Sequence, residues 1–337
     1  MANRSYSAPR RSSLGFRRSR ASSNKPFVRG WPTLNGDPKI LGFPAFKAGM
    51  TRVIYREDNP KSHIANTQRI TAVTVIETPP VMLYGIRAYK MTSYGMKILG
   101  DVMTNSPSKF YKRKRRYPEV TNMDDQVNNL KEKLEEAKEI RAIVHTQPDL
   151  TGIGSKTPET FEIKIGGSDN NSILDWAVER LGQELQIEDF TKPGEYIDVI
   201  GITKGHGFTG TVKRHGHTKL PRKTKDGTRR VGSIGPWIPA RLRWTIPRYG
   251  QYGYFRRTEF NKRVMKVGVE GNEINPKGGF VKYGLIKNRY LLLKGSVPGP
   301  KKRMVMLRTG IRSAQREERV PSMSHISQRS QRWINYG

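Results

Sequence analysis

The chain has 337 residues, among them 62 Lys and Arg, 29 Asp and Glu and no cysteine, and its formal net charge is +33. So large a positive charge argues against an ordinary metabolic enzyme, because self-repulsion destabilises the compact state. It indicates a polyanionic partner, either nucleic acid or an anionic membrane surface. The missing cysteines exclude disulfides, thiolate catalysis and cysteine-ligated zinc. No apolar run approaches the roughly 18 residues of a membrane span, so we expect no membrane partner.

Residues 1–40 are predicted to form a basic N-terminal arm. The first 30 residues carry eight Lys and Arg, no acid and few apolar side chains, so they cannot build a core of their own. A transit peptide has a similar composition, but the amphipathic pattern is poor and Pro9 interrupts it. We therefore expect an arm that is disordered in isolation and binds RNA phosphates. Its candidate contacts are Arg10, Arg11, Arg17, Arg18 and Arg20.

Residues 41–119 are predicted to form the first part of a β-barrel core. Runs of β-branched and aromatic residues separated by turn signals are typical of strands. Four such runs follow one another: "AFKAGMTRVIY", "RITAVTVIETP", "VMLYGIRAY" and "YGMKILGDVM". A charged loop, "KRKRRYP", comes after them.

Residues 120–190 are predicted to be a small α/β helical insert. In the first helix, which Asn122 or Asp124 can cap, apolar residues recur every three or four positions on one face, namely Val127, Leu130, Leu134 and Ala137. A second helix is predicted from Ser172, with one apolar side formed by Leu174, Ala177, Val178, Leu181 and Leu185. The runs "RAIVHTQPDL" and "FEIKIGG" are predicted strands. Because this block lacks the excess positive charge of the remainder, we expect it to face away from any polyanion.

Strand patterns resume after the insert. Residues 191–207 are predicted to be a barrel strand that leads into an extension, and residues 263–312 to return to the barrel. Residues 313–337 are polar and are predicted to be an irregular C-terminal tail. The predicted fold class is therefore mainly β with an α/β insert, that is, a β-barrel interrupted by a small helical domain and carrying long irregular basic extensions.

Residues 208–262 are predicted to be a central basic extension that threads through RNA. Residues 201–263 carry sixteen Lys and Arg against two acids, with ten Gly and eight aromatic residues. Gly lets the backbone approach a ligand closely, Lys and Arg neutralise phosphates, and aromatic rings stack on unpaired bases. A solvated basic loop is the alternative, but the interleaved aromatic residues favour RNA. The candidate contacts in and beside this extension are Lys204, His206, Lys213, Arg214, His215, His217, Lys219, Arg222, Lys223, Lys225, Arg229, Arg230, Arg241, Arg243, Arg248, Arg256 and Arg257.

The stretch "KGHGFTG" at residues 204–210 contains G-x-G-x-x-G, the dinucleotide-binding fingerprint. That fingerprint needs a helix immediately after the glycines to hold the pyrophosphate. Here Gly216 and Pro221 interrupt the following residues, and no helix of useful length fits. Asp226 lies about where a ribose-binding acid is expected, but in a "KDG" turn signal. We therefore predict no cofactor, no small-molecule substrate and no catalytic residue.

Three histidines raise the alternative of a zinc site. His206, His215 and His217 have the right ligand chemistry. Lys204, Lys213 and Arg214 crowd the same few residues, however, and their charge opposes a bound cation. We expect these histidines to contact RNA phosphate or sugar and predict no metal.

Four stretches carry a resemblance to a known family: "PRRSSLGFRRSRAS", "LGFPAFKAGMTRV", "DVIGITKGHGFTGTVKRHG" and "LPRKTKDGTRRVGSIGPWIPARLRW", the last followed by "RYGQYGYFRRTEFNKRVMKVG". In this order and over nearly the full length, the chain resembles the third protein of the large ribosomal subunit in its archaeal and eukaryotic form. The resemblance implies a translation-protein-type β-barrel with a helical insert, cytoplasmic location, binding to large-subunit ribosomal RNA beside neighbouring ribosomal proteins, and a role early in subunit assembly. It implies that Trp237 lies at a loop tip near the peptidyl-transferase centre. It also implies that the rRNA-contacting loop around this tip includes Arg222, Lys223, Arg229, Arg230, Arg241 and Arg243.

One position departs from the family. Eukaryotic members have a histidine where this chain has Lys225, so any role of that histidine does not carry over, and the substitution favours an archaeal origin. Lysine still supplies a phosphate contact as a point charge. A free regulatory nucleic-acid binder is the remaining alternative, but the chain has no helix-turn-helix or RNP signature and its long extensions suit a permanent complex better.

Overall fold

The chain is built mainly from β-strands arranged in several sheets, as the sequence predicts. The computed structural model describes residues 19–104, 108–114, 122–238, 240–243, 246–312 and 319–331. The chain divides into an extension unit, Met1–Asn24 with Ile202–Arg257, and a core unit, Lys25–Gly201 with Thr258–Gly337. Within the described residues, no helix has the length and apolar character needed to cross a lipid bilayer.

Fifteen strands and three α-helices are present in the described residues. The strands are β1 (Lys39–Ile40), β2 (Gly42–Arg56), β3 (Gln68–Glu77), β4 (Val81–Thr92), β5 (Gly95–Met103), β6 (Glu139–Thr146), β7 (Thr160–Gly166), β8 (Glu184–Leu185), β9 (Tyr196–Ile202), β10 (Gly205–Thr209), β11 (Gly250–Gly253), β12 (Arg256–Gly268), β13 (Tyr290–Lys294), β14 (Met304–Thr309) and β15 (Met323–Ile326). The helices are α1 (Met123–Glu132), α2 (Asn170–Glu179) and α3 (Thr211–His215).

The first sheet has seven strands whose pairing path returns on itself. Its order is β14-β9-β12-β13-β3-β2-β15, and β14 also pairs with β2. The long strand β2 makes this possible, because its residues 42–46 pair with β14 and its residues 53–55 with β15. Phe43, Val199, Leu293 and Val305 of these strands lie in one buried apolar cluster, so burial of strand side chains stabilises the closed path.

The second sheet has the order β1-β7-β6-β4-β5, with β8 paired to β4. Helix α1 packs on β5 and α2 on β6. Ile86, Ala142 and Ile163 of the strands share a buried cluster with Leu130 and Leu174 of the helices. The sheet thus joins strands from residues 81–103 with strands from the predicted insert.

The other face of this sheet carries paired charges. The side chains next to the buried positions point the opposite way, since strand residues alternate. There Arg87 binds Asp101 at 2.6 Å and Glu162 at 2.8 Å, and Arg141 also contacts Glu162. Lys164 lies 3.5 Å from Glu139. These cations are therefore neutralised within the protein.

A buried ion pair links β9 to β14 in the first sheet. Asp198 is fully buried and accepts a hydrogen bond from Arg308 Nη2 at 2.6 Å and from the Asn261 backbone N–H at 3.0 Å. Arg308 also donates to the carbonyl oxygen of Gly30 at 2.7 Å. Removing one partner would leave the other charge buried without compensation.

Several elements differ from the sequence prediction. Helix α1 ends at Glu132, and Leu134 is buried instead in a 3-10 turn, Leu134–Glu136, that directs the chain into β6. Helix α2 ends at Glu179, because Gly182 adopts a φ of +83°, which a continuing helix does not allow. Within the predicted irregular tail, β15 pairs with β2.

We predict that Asp198→Ala lowers the free energy of unfolding by about 3–5 kcal/mol, because the Arg308 charge then stays buried without its partner carboxylate. The matched control is Asp175→Ala, whose carboxylate pairs with Lys131 at 3.2 Å on the surface and should contribute less than about 1 kcal/mol. Urea unfolding of both full-length variants measures the difference. Equal losses would contradict the importance of the buried pair.

Candidate nucleic-acid interface

The extension unit begins and ends in a two-stranded ribbon. Strands β10 and β11 pair antiparallel, with Gly205 opposite Gly253 and Thr209 opposite Gly250. Gly253 has a φ of +74°, and a Cβ there would collide with the carbonyl oxygen of Lys204. The glycine is therefore required for close approach of the two strands.

This ribbon explains the G-x-G-x-x-G stretch without a nucleotide. The motif occupies β10, which pairs antiparallel with β11, whereas the dinucleotide fingerprint joins a strand of a parallel sheet to a long helix. Helix α3, Thr211–His215, does follow the motif, but it has only five residues and ends at Gly216, whose φ is +66°. Asp226 lies in a turn and pairs with Arg230 at 3.1 Å. The geometry therefore does not support dinucleotide binding.

Two of the predicted RNA contacts hold the base of the extension together. Arg214 donates to the backbone carbonyls of Arg248 at 2.7 Å and Gln251 at 3.2 Å. His215 Nε2 lies 3.1 Å from the same Arg248 carbonyl oxygen. Burial and, second, the adjacent Arg214 charge lower the pKa of His215, so the imidazole is neutral at neutral pH. Both side chains connect α3 to the chain that returns from the extension.

The other two histidines have different neighbours. His206 stacks on Tyr252 with ring centroids 5.1 Å apart, and His217 Nδ1 lies 2.7 Å from the Thr218 carbonyl oxygen. In the described ranges, no group of three or more His, Cys, Asp or Glu side chains is placed to hold a metal ion.

Exposed aromatic side chains flank the ribbon. Phe208 and Tyr249 are 75% and 60% exposed and lie against each other with ring centroids 5.3 Å apart. The His206–Tyr252 pair lies in the same ribbon, with His206 exposed and Tyr252 half-buried, and exposed Lys204 and Arg248 flank the ribbon in sequence. Such rings can stack on unpaired bases while the cations contact phosphates.

The end of the N-terminal arm contacts the same unit. Ala21 donates its backbone N–H to the Tyr254 carbonyl oxygen at 2.9 Å, and the Tyr254 hydroxyl donates to Asn24 Oδ1 at 2.7 Å. The Arg20 guanidinium lies 5.5 Å from the centre of the Tyr254 ring. The predicted contacts Arg10, Arg11, Arg17 and Arg18 lie outside the described residues.

Between α3 and β11 the described chain has no regular secondary structure. A turn closes at Thr224, which donates to the Pro221 carbonyl oxygen, and Leu220 donates to the Thr228 carbonyl oxygen at 2.8 Å. The predicted RNA contacts in this segment all have exposed side chains: Lys219, Arg222, Lys223, Lys225, Arg229, Arg230, Arg241 and Arg243.

Apolar side chains are exposed at the bends of this segment near residue 237. Trp237 is 91% exposed and Ile238 81%, beside Gly235, whose φ is +141°. An indole so exposed contributes no core packing, so its apolar surface is available to a partner.

The charge of this unit is almost uncompensated. Residues 202–257 carry fourteen Lys and Arg and one acid, Asp226. Arg256 and Arg257 lie at its end, where the Arg257 guanidinium is 5.1 Å from the centre of the Phe255 ring. A surface of this charge attracts a polyanion.

Comparison with known proteins identifies the family. The family model described as Ribosomal protein L3 matches residues 1–332. The chain is 44% identical over 326 residues to Large ribosomal subunit protein uL3 of Methanococcus aeolicus, covering 96% of this chain and 97% of that relative. The protein of the same name from Methanobrevibacter smithii is 41% identical over 333 residues, covering 97% and 98%.

The chain belongs to the ribosomal protein L3 family. Membership confirms the predicted resemblance, and it confirms that the chain is a large-subunit ribosomal protein of the cytoplasm and not an enzyme. The comparison also supports the predicted archaeal form of the family, because a further relative, from Methanocaldococcus jannaschii, is 42% identical over 325 residues.

The structure gives Arg214 a role within the protein that the sequence did not reveal. Arg214 was predicted only as an RNA contact, yet it braces the two ends of the extension. No local signal distinguishes it from its exposed neighbour Lys213, because its carbonyl partners lie more than thirty residues later. The exposed Phe208–Tyr249 pair was likewise not identifiable as a pair from the sequence.

We predict that Gly253→Ala opens the ribbon, because the added Cβ meets the Lys204 carbonyl and the positive φ is strained, at a cost of roughly 1–3 kcal/mol. Faster amide exchange in β10 and β11 would report the opening. The matched control is Gly210→Ala in the same motif, where the backbone has a φ of −70° and the Cβ position is empty. Equal exchange in the two variants would contradict the requirement for glycine.

Proposed function

We propose that this chain binds large-subunit ribosomal RNA through its extension unit. One observation carries the proposal: fourteen Lys and Arg, most of them exposed, face one acid in a segment that has almost no core. Family membership indicates that this polyanion is ribosomal RNA, because the relatives are named as proteins of the large ribosomal subunit. The predicted contacts in residues 204–257 and in the arm are the proposed rRNA-binding residues.

Release of counterions from the RNA drives this binding. Neutralising about 6–10 phosphates makes affinity fall roughly 10³–10⁵-fold between 50 and 200 mM salt. Contacts with phosphates also offset the backbone entropy of ordering the segment, which costs about 1–2 kcal/mol per residue. The irregular described residues of this segment, 216–238, 240–243 and 246–247, thus gain from RNA the order that their own contacts do not supply.

The finer features of the family fit the same proposal. The closed strand path, β14-β9-β12-β13-β3-β2, is the translation-protein-type β-barrel that residues 41–119, 191–207 and 263–312 were predicted to supply, although residues 81–103 lie in the second sheet instead. Residues 120–190 are its helical insert, residues 208–262 the RNA-threading extension, and residues 1–40 and 313–337 the arm and tail. Bound to rRNA beside neighbouring ribosomal proteins, the chain supports early assembly of the subunit, and the Trp237 tip reaches toward the peptidyl-transferase centre.

We expect the triple variant Arg222→Ala, Lys223→Ala, Lys225→Ala to weaken rRNA binding and to lower the slope of log K against log salt by about 2–3. Filter binding of the full-length protein to a large-subunit rRNA transcript between 50 and 200 mM salt measures both. The matched control is Lys97→Ala, Lys133→Ala, Lys138→Ala, which removes the same charge from exposed positions of the core unit. A slope that is equal in the two variants would overturn the role of the extension.

We expect Trp237→Ala to change the free energy of unfolding by less than about 0.5 kcal/mol, because the side chain buries little surface. The variant should enter large subunits normally yet alter chemical probing of nucleotides at the peptidyl-transferase centre. Tyr94→Ala, which removes a fully exposed aromatic ring from the turn between β4 and β5, is the control. If the chemical probing pattern of the Trp237→Ala subunits matched that of the wild type, the proposed position of the tip would be wrong.

A further inference from the structure

The core unit carries a basic cluster of its own, on a short turn after β5. A 3-10 helix, Tyr111–Arg113, presents exposed cations on both sides of Phe110. A lysine from the loop before β7 joins them. The Phe110 cluster consists of Phe110 with Lys109, Lys112, Arg113, Lys114 and Lys156.

The turn is fixed to the second sheet by one buried side chain. Tyr111 is buried, with its ring centroid 5.0 Å from Tyr84 of β4 and 5.2 Å from His145 of β6. His145 Nε2 accepts from the Ser108 N–H at 3.5 Å. Burial lowers the pKa of His145, so the anchoring ring is neutral at neutral pH. With Tyr111 held inward, the neighbouring cations are held outward.

Three cations converge on the Phe110 ring. Arg113 lies 5.0 Å from the ring centre, Lys156 5.7 Å and Lys109 5.9 Å. Each is within the range of a cation–π contact, which holds the cations near one another against their mutual repulsion. The ring therefore organises the charges in space.

Unlike the cations on the nearby sheet face, most cations of this cluster have no carboxylate partner among the described residues. Among the described residues, Lys114 alone of the five cations pairs with a carboxylate, that of Glu159 at 2.9 Å. On the nearby sheet face, by contrast, Arg87 and Arg141 both have acidic partners. Acids are plentiful in this part of the chain, since residues 120–190 carry fifteen Asp and Glu against seven Lys and Arg. The cluster is thus an uncompensated basic site in an acidic neighbourhood.

We propose that the Phe110 cluster is a second phosphate-binding site for ribosomal RNA, separate from the extension unit. Lys109, Arg113 and Lys156 bind adjacent phosphates of one RNA backbone segment, without reading its sequence. Lysine is depleted at protein–protein interfaces but common at nucleic-acid phosphates, which favours RNA over an acidic protein. The inference rests on the proposed function, because it takes large-subunit rRNA as the ligand.

The test is the triple variant Lys109→Ala, Arg113→Ala, Lys156→Ala in the full-length protein. Binding to the large-subunit rRNA transcript is measured across 50–200 mM salt beside the wild type and the Lys97, Lys133, Lys138 triple-alanine control. We expect the cluster variant to lose about tenfold or more in affinity at the lowest salt, and its slope to fall by about 2–3, relative to that control. Because the altered side chains are exposed, the urea midpoint should stay unchanged, and the glutamine triple at the same positions should behave as the alanine triple does.

The outcomes separate the two claims. If the cluster variant binds as the control does while the extension variant is weakened, the second site is wrong and the proposed function stands. If the wild type itself binds rRNA without salt dependence, the proposed function fails and the second site with it. If rRNA binding equals the control but the variant no longer enters large subunits, the cluster contacts a protein, and the inference is overturned.

Discussion

Uncompensated positive charge is the constraint on which the rest of the structure depends. Residues 202–257 place fourteen Lys and Arg beside one acid, and of the described apolar side chains in this segment only Ile202 and Phe255 are buried. Their mutual repulsion opposes a compact state, so the segment is exposed and largely irregular. Gly253 and Arg214 hold the segment together at its base, where β10 meets β11. We propose that order farther along the extension comes from the bound polyanion.

In the core unit, by contrast, several buried charges are paired. Asp198 and Arg308 neutralise each other within the first sheet, and Arg263 binds Asp58. That contact and burial act against each other on Asp58, and the Arg263 hydrogen bond, the larger influence, lowers the pKa of its carboxyl. Paired charges let this unit keep an apolar core of ordinary composition. The Phe110 cluster differs because three cations converge on one ring there, which is why we propose it as a second site.

Local pattern predicted most strands, since runs such as "RITAVTVIETP" coincide with β3, Gln68–Glu77. It also predicted the exposure of Arg222, Lys223 and Trp237, because a segment so basic has no core to bury them. Local pattern did not predict which strands pair. The pairing of β4 with β6, for example, depends on contacts between residues far apart in sequence. For the same reason, the sequence did not reveal the structural roles of Arg214, Tyr254 and Tyr111, since their partners lie far away along the chain.

Amide hydrogen exchange across residues 216–243 tests the central claim most directly, measured in the free full-length protein and in its complex with a large-subunit rRNA transcript. The account predicts nearly unprotected exchange in the free protein and strong slowing in the complex, with β3 and β13 protected in both states. Protection of residues 216–243 in the free protein to the level of β3 would contradict the account, because the extension would then be ordered by its own contacts.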